Sequence, residues 1–378
     1  MSEPAGYPPN QPSAVREHRA QPRFPDVRPR RLRRAGWVAL GVTGVASLSL
    51  AFVPSPYIVE VPGPTFDTLG ATDAGDLIDI EGAETFPTEG ELRLLTVSLL
   101  GNPERPLTWV DVARAYVDPS RAIIPMEAAY PPSVSVQDAN EAGRIEMRNS
   151  QSAAVAAALL HLGEPVESDV RVAGVIEGSP AEGLLEEDDR ILRVNGDTAY
   201  DVYSIRASIA AAEGASTFDI ERDGEQLSVE VTPVTEGEQR IVGIYPANEF
   251  DFPFEVDIQL PNVGGPSAGM MFALGIIDEL TPGAMTAGTR WAGTGTIAAL
   301  GEVGAIGGIV QKMHGAAGAG ATHFLAPAAN CAEVVGHVPE GLTVFAVSTL
   351  DEAVTAIETV AEQGDTGALP TCEAPAGS

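Results

Sequence analysis

The chain has 378 residues, 44% of them hydrophobic, and a formal net charge of −31. This length allows two folded domains plus a tail, and the hydrophobic fraction allows sizeable cores. So negative a charge excludes a nucleic-acid partner, because a phosphate backbone would be repelled.

The N-terminal region is charged differently from the rest. Residues 1–34 hold eight arginines and three acids, and the run from Ala35 to Val53 has no charged residue. At about 1.5 Å per residue, this run is just long enough to span a hydrocarbon core of about 30 Å. We predict a disordered basic cytoplasmic tail over 1–34 and one transmembrane helix over 35–54. The remainder would then lie outside the cell membrane. A signal peptide cleaved near Ala51 is the alternative.

Residues 55–165 begin with extended segments and end in helices. "PYIVEVPGPTFDTLG" and "GELRLLTVSLL" are typical of strands. A short amphipathic helix is predicted over Leu107–Val117. A longer helix is predicted over Val136–Leu162, with Gly163 as its stop signal.

Residues 166–236 form a compact, β-rich block. We predict strands over Val170–Val175 and Asp189–Val194, a helix over Val202–Ala212, and a hairpin turning at Asp223-Gly224. "VIEGSPAEGLL" and "DRILRVNGD" resemble a PDZ domain, with Asp188 where a glycine is common. The resemblance implies that an extended peptide segment binds by strand addition. A spacer without a ligand is the alternative.

Residues 237–362 alternate strands and helices, and a flexible tail is predicted over 363–378. "FEVDIQLP" is a predicted strand, and an apolar helix follows the loop "NVGGPSAG". "TRWAGTGTIAALG" is β-like, and "GGIVQKMHGAAGAGA" opens another helix. The fold class is therefore α+β. Cys331 and Cys372 either pair or remain free thiols, since sequence alone does not show their proximity.

The segment Gly265-Pro266-Ser267-Ala268-Gly269 fits a serine nucleophile at the start of a helix. Free N–H groups and the positive end of the helix dipole converge at such a place and can stabilise an oxyanion. A helix cap formed by Ser267 is the structural alternative. An α/β-hydrolase esterase is the catalytic alternative, and its base would be one of three histidines: His314, His323 and His337.

Lys312 is the only lysine in the chain, which otherwise carries 21 arginines. A lysine base must be neutral, so its pKa of about 10.4 must fall by several units. No acidic residue occurs from Val303 through Ala321, and the neighbouring residues are small or apolar. Burial and a helix N-terminus both lower a lysine pKa, whereas arginine does not deprotonate in proteins. Lys312 is therefore predicted to be the general base.

Together, "GGPSAG" and "TGTIAALGEVGAIGGIVQK" resemble the nucleophile and lysine motifs of Lon-type serine proteases. The resemblance implies Ser267 as nucleophile, Lys312 as base and Thr294 as the residue that orients the lysine. It also implies a nucleophile loop formed by Gly265, Pro266, Ala268 and Gly269. Gly264 departs from the family, because the ATP-dependent members have an aspartate there.

The whole exterior part resembles membrane-anchored Lon-like proteases that contain a PDZ domain. The resemblance implies a proteolytic domain formed by 55–165 and 237–362, with the PDZ domain of 166–236 inserted. Unfolded or extended proteins would be substrates, and a hexameric ring is implied by the family alone.

The motifs that are missing narrow the class of protease. No G-x-x-x-x-G-K-[ST] and no H-E-x-x-H occurs, so we expect an ATP-independent enzyme with no metal and no cofactor. The alternative from another class is a membrane-tethered PDZ adaptor whose protease-like part is inactive.

Overall fold

The computed structural model describes residues 30–50, 53–72, 75–131, 135–236, 239–260 and 263–372. The chain divides into a first unit that ends at Phe52 and a second unit that begins at Val53. In the first unit, helix α1 spans Arg30–Leu50 and overlaps the predicted transmembrane helix of 35–54. Among the residues described, we find no helix with both the length and the apolar character needed to cross a membrane. Residues 1–29 of the predicted tail lie outside the described residues.

The second unit begins with strands and short helices. Its elements up to residue 161 are β1 (Tyr57–Asp67), β2 (Ala71–Thr72), β3 (Gly75–Asp76), β4 (Ile78–Glu81), β5 (Glu91–Leu100), α2 (Trp109–Tyr116), β6 (Ala122–Pro125), α3 (Met126–Ala129) and α4 (Val136–His161). Thr108 and Ser135 cap α2 and α4, because each side chain accepts a hydrogen bond from a backbone N–H of the first turn. Both predicted helices therefore form, within two residues of their expected ends.

The β-rich block follows. Its elements are β7 (Glu167–Val175), β8 (Arg190–Val194), β9 (Asp197–Thr198), α5 (Val202–Ala211), β10 (Ser216–Arg222), β11 (Glu225–Val231), β12 (Val234–Glu236), β13 (Gln239–Ile241) and β14 (Ile244–Asp251). Asp188, Asn195 and Asp223 all have positive φ, as the turns read from the sequence require.

The sheet of this block extends past the predicted boundary at residue 236. Its strand order is β11-β10-β8-β7-β14, and β14 pairs antiparallel with β7 from Ile244 opposite Val175 to Asp251 opposite Glu167. The sequence signal of β14 is weak because "IYPANEFD" is mostly polar and contains Pro246, which is tolerated at the edge of a sheet. The block therefore ends at Asp251.

The last part of the unit alternates short strands and helices. Its elements are β15 (Glu255–Ile258), α6 (Gly269–Leu280), β16 (Arg290–Gly293), β17 (Thr296–Ile297), β18 (Val303–Gly304), α7 (Ile309–Gly318), β19 (His323–Pro327), a 3₁₀ turn (Ala328–Asn330), α8 (Cys331–Val334), β20 (Thr343–Val347), α9 (Leu350–Ala361) and a second 3₁₀ turn (Thr366–Ala368). Helix α8 is only four residues long, and Gly336 turns the chain after it with φ of +82°.

One mixed sheet joins the two halves on either side of the block. Its order is β20-β19-β16-β5-β1-β6, with β16 parallel to both β5 and β19 and with β1 antiparallel to β5. Helix α6 is buried from Gly269 through Asp278 and packs on the alanine-rich end of α4. The apolar character of α6 on every face is explained by this central position.

The C-terminal segment is partly fixed. Cys331 and Cys372 form a disulfide, and the backbone N–H of Ala346 donates to the carbonyl of Pro370. The first residues of the predicted flexible tail therefore pack against β20. Residues 373–378 lie outside the described residues.

Candidate active site

Ser267 lies two residues before α6, in the loop that follows β15. Ala268 is the N-cap of that helix and makes no side-chain capping bond, so Ser267 does not act as a cap. Gly269 must lack a side chain, because a Cβ there would lie 2.7 Å from both Ile297 Cγ2 and Ser150 Oγ. The glycine of the predicted loop thus brings the start of α6 close to its neighbours.

Lys312 lies one turn inside α7 and is 2% exposed. Gly308 caps this helix in the left-handed conformation with φ of +69°, and a Cβ there would lie 2.7 Å from Val97 Cγ1. The Lys312 Nζ lies 2.9 Å from Ser267 Oγ and 2.9 Å from Thr294 Oγ1. The structure therefore brings together the three side chains singled out in the sequence.

Thr294 follows β16 and connects the other two residues. Its hydroxyl donates to the carbonyl of Ser267 at 2.9 Å, and the N–H of Gly295 donates to the same carbonyl at 2.9 Å. Since the Thr294 proton is used in this way, the Thr294 oxygen is an acceptor toward Lys312. Thr294 therefore holds one N–H of the lysine and directs the remaining face of Nζ toward Ser267.

Burial lowers the pKa of Lys312 to about 7, while the nearby Glu60 carboxylate acts in the opposite direction. The acid-free segment around Lys312 did not reveal this carboxylate, since Glu60 comes from β1, some 250 residues earlier. Burial raises the pKa of Glu60, the positive charge of Lys312 lowers it, and Glu333 raises it. No local sequence pattern indicates this neighbour, which the packing of α7 on β1 places near Lys312.

Asn330 fixes the loop that leads into α7. Its Oδ1 accepts from the N–H of Ile306 and its Nδ2 donates to the carbonyl of Ile306, both at 2.9 Å. Asn330 is 2% exposed, and its Nδ2 also contacts Glu333 at 2.9 Å. One buried amide thus satisfies both backbone groups of Ile306, just before Gly308, and no local sequence pattern marks this role of Asn330.

A cleft of about 190 Å³ opens onto the dyad. It is lined by Pro64, Leu95, Thr96, Val97, Ser98, Met147, Val263, Gly264, Ser267, Ala268 and Lys312. A Cβ on Gly264 would lie 3.2 Å from the backbone of Gly143 in α4. A side chain at this position would therefore crowd the backbone of α4.

The backbone around Ser267 offers donors for an oxyanion. The N–H of Met270 is used by the carbonyl of Gly295, and the N–H of Gly265 by that of Gly143. Within the part of the chain that the structure describes, the N–H groups of Ser267 and Ala268 donate to no protein acceptor. These two groups are the available donors beside the nucleophile.

Two of the three histidines of the esterase alternative make other contacts. His323 stacks on Trp291, and its pKa is lowered by burial. His337 Nδ1 lies 3.0 Å from the carbonyl of Glu333. Among the described hydrogen bonds, none joins Ser267 to His314, His323 or His337. The site therefore favours lysine over histidine as the base.

A second concave site lies in the β-rich block, between α5 and the strands β13 and β14. This groove, which we call the α5 groove, has a volume of about 480 Å³ and is lined by Ile205, Arg206, Ile209, Ala210, Arg240, Ile241, Val242, Gly243, Ile244 and Pro246. Among the described strands, β14 is the last in its sheet, and its outer edge pairs with no other described strand. Ile244 and Pro246 of β14 line this groove. The signal in the sequence was "RIVGIY", which lies beyond the predicted end of the block.

Comparisons with known proteins find a match in the C-terminal part of the chain. Residues 253–359 match the family model of the Lon protease (S16) C-terminal proteolytic domain, and this segment contains all three residues around Nζ. Over 190 residues the chain is 31% identical to Lon protease 1 of Bacillus subtilis (strain 168), covering 46% of this chain. The chain spans only 23% of that relative's length.

Among solved structures, the PDZ domain of an SdrC-like protein from Listeria innocua aligns with 21% of this chain and 92% of its own length. The identity is 17% and the TM-score is 0.20. This alignment carries no argument for the β-rich block, whose PDZ character stays a prediction.

Proposed function

We propose that the chain is an ATP-independent serine endopeptidase in which Ser267 is the nucleophile and Lys312 the general base. The observation that carries this proposal is the 2.9 Å separation of Ser267 Oγ from the Nζ of a buried lysine. The match of residues 253–359 to a Lon proteolytic domain supports serine-protease activity independently.

The first half of the reaction forms an acyl-enzyme. Neutral Lys312 has two N–H groups and one lone pair, and one N–H is held by Thr294. The lone pair accepts the Ser267 proton while Oγ forms a bond to the substrate carbonyl carbon. The N–H groups of Ser267 and Ala268 stabilise the negative oxygen, at about 3 kcal/mol per donor. Protonated Lys312 then gives its proton to the leaving amine as the peptide bond breaks.

The second half reverses the roles of the same groups. Lys312 is neutral again and takes a proton from water as the water oxygen attacks the acyl carbon. The bond from that carbon to Ser267 Oγ then breaks, and Oγ recovers the proton from Lys312. A pKa of about 7 suits both steps, because the amine is readily available in either protonation state near neutral pH.

The α5 groove is proposed to bind an extended segment of a protein substrate. Its isoleucines and Val242 suit apolar side chains, and the free edge of β14 suits strand addition. Arg206 and Arg240 also line the groove and suit a carboxylate. A substrate held there by a C-terminal or unfolded segment would have a raised local concentration near the cleft.

Membrane anchoring through residues 35–54, an extracytoplasmic catalytic part and a hexameric assembly belong to the same proposal. The first two are supported by the uncharged run that follows the basic segment Arg28 to Arg34. The assembly is supported by the likeness to Lon proteases alone.

The test compares Ser267→Ala and Lys312→Arg with the wild-type chain on an unfolded, fluorescently labelled casein. Both variants are expected to lose at least a thousandfold in kcat/KM. Ser267→Ala lacks the attacking oxygen, and Lys312→Arg lacks a base that can take the serine proton. Ser228→Ala, an exposed serine of β11, is the matched control and should retain full activity. Wild-type activity in either dyad variant would reject the dyad and favour an inactive adaptor or another nucleophile.

A further inference from the structure

Asp201 joins the β-rich block to the proteolytic half through one buried carboxylate. It is the N-cap of α5, where its Oδ1 accepts from the N–H of Ser204 at 2.6 Å. Its Oδ2 accepts from the N–H of Ala299 at 2.6 Å, a contact across 98 positions of sequence. Asp201 is only 3% exposed, so water does not compete strongly for either bond.

Ala299 lies at the tip of the hairpin formed by β17 and β18. This hairpin is the chain segment between Thr294, which holds the Lys312 amine, and the loop that Asn330 fixes before α7. Ile297 in its first strand approaches the start of α6 so closely that a Cβ on Gly269 would lie 2.7 Å from it. The hairpin therefore borders the elements that carry the nucleophile, the base and the orienting threonine.

On the other side of the Asp201–Ala299 hydrogen bond, helix α5 forms one wall of the α5 groove. Ile205 lies one turn after Asp201, and its N–H donates to the Asp201 carbonyl at 3.2 Å. Ile205 and Ile209 present the apolar side of α5 to the groove. A segment that enters the groove and displaces α5 also displaces its cap, because the cap and the first turn are joined by three hydrogen bonds within the capping box.

We propose that Asp201 couples occupancy of the α5 groove to the geometry of the dyad, so that a bound peptide changes the turnover of the Ser267–Lys312 site. Asp201 is then a positioning residue that acts through Ala299 and the β17–β18 hairpin. This inference rests on the proposed function. It adds regulation to that function, since recruitment alone requires no contact between Asp201 and Ala299.

The experiment uses the full chain and two separate ligands. The groove probe is an acetylated pentapeptide of two alanines, two leucines and a C-terminal valine with a free carboxylate. The active-site substrate is the p-nitrophenyl ester of N-acetyl-alanine, which is too short to reach both sites. The quantity measured is the ratio of kcat with saturating pentapeptide to kcat without it, after subtraction of the rate of Ser267→Ala.

Two variants remove the hydrogen bond between Asp201 and Ala299, one by changing the acceptor and the other by changing the donor. Asp201→Ser keeps a capping hydroxyl for α5 but is too short to reach Ala299. Ala299→Pro removes the N–H donor and changes no residue of α5 or of the groove lining. Asp197→Asn is the matched control, because its carboxylate accepts from Ser208 of α5 at 2.7 Å and this bond stays within the block.

The expected ratio differs from one by at least threefold in the wild-type chain and in Asp197→Asn. It falls to within 1.3-fold of one in Asp201→Ser and Ala299→Pro, while the Kd of the pentapeptide from calorimetry changes by less than twofold. The ratio is taken within each variant, so a general loss of activity does not imitate this result.

A binding measurement gives the same coupling without turnover. The pentapeptide is expected to change the Kd of a dipeptide boronate bound at the active site. By thermodynamic reciprocity, the boronate must then change the Kd of the pentapeptide by the same factor. We expect this factor to be at least three in the wild-type chain and close to one in Asp201→Ser.

Three results overturn the proposal. They are a wild-type ratio of one with the pentapeptide bound, no binding of the pentapeptide, or an undiminished ratio in both variants. Failure of the proposed function is distinct, because Ser267→Ala would then hydrolyse the ester as fast as the wild-type chain.

Discussion

Lys312→Met is expected to stabilise the fold while it abolishes catalysis. The pKa of Lys312 falls from 10.5 to about 7 because the side chain is buried. In the unfolded chain the amine recovers its ordinary pKa, so between pH 7 and 10.5 the unfolded state binds more protons than the folded state. The free energy of unfolding therefore rises with pH across this window, and the stability lost to the buried lysine is largest at and below pH 7.

The magnitude follows from the two pKa values. A shift of about 3.5 units costs roughly 4 kcal/mol at pH 7, at 1.36 kcal/mol per unit. Methionine has a similar unbranched shape and removes this cost, and Thr294 keeps its bond to the Ser267 carbonyl. Allowing for the two hydrogen bonds of Nζ that are lost, we expect a gain of about 2 kcal/mol in the free energy of unfolding at pH 7.

The assay is urea unfolding of the full chain followed by tryptophan fluorescence at pH 6, 7, 8 and 9. The difference between variant and wild type should shrink as pH rises from 7 to 9, because the wild-type lysine loses a proton on folding and this loss costs less free energy at higher pH. Exposed Arg148→Met in α4 is the control and should show no such trend. A variant less stable than the wild type at pH 7, with a difference independent of pH, would contradict a low pKa at Lys312.

Three further predictions concern the residues around Lys312. The kcat/KM of the wild-type chain should fall about tenfold for each pH unit below 7. Glu60→Gln should shift this acidic fall in kcat/KM to lower pH, because removal of the carboxylate lowers the Lys312 pKa further. An acidic fall that stays in place or moves to higher pH would contradict this. Thr294→Val should lower kcat on a peptide amide by about 10- to 100-fold with little change in KM, since the Lys312 amine loses the group that orients it. An unchanged kcat would show that Thr294 does not orient Lys312. Asn330→Ala should lower the free energy of unfolding by about 2 kcal/mol in urea titrations, because both backbone groups of Ile306 lose a buried partner. Asn330→Asp should keep only the bond from the Ile306 N–H. If both variants were as stable as the wild type, the Asn330 amide would have no such role.

Much of the local structure was predictable because its signals are local. Caps, turn residues and apolar periodicity lie within a few positions of the elements they define, as at Ser135 for α4 and Asp223 for the β10–β11 hairpin. The proximity of Ser267 and Lys312 was predictable for a chemical reason, since a sole lysine in an apolar segment and a serine before a buried helix are the groups that a serine–lysine pair requires.

The missing parts depend on contacts between distant segments. Glu60 lies near Lys312 because α7 packs on β1, and Asn330 bonds to Ile306 once α8 packs beside α7. Strand β14 has a polar sequence with a proline, so its pairing with β7 was not visible in the sequence, and the sheet continues past the predicted boundary at residue 236. The same non-local origin explains why the Asp201–Ala299 bond has no signature in either segment.

The most direct test of the dyad is covalent labelling with a fluorophosphonate, followed by peptide mapping. Attack requires the Ser267 oxygen and a neutral base, so the modified residue should be Ser267, and the labelling rate should rise with pH through an apparent pKa near 7. Lys312→Arg should be labelled at least a hundredfold more slowly. Label on another residue, or labelling of Lys312→Arg at the wild-type rate, would contradict the Ser267–Lys312 mechanism.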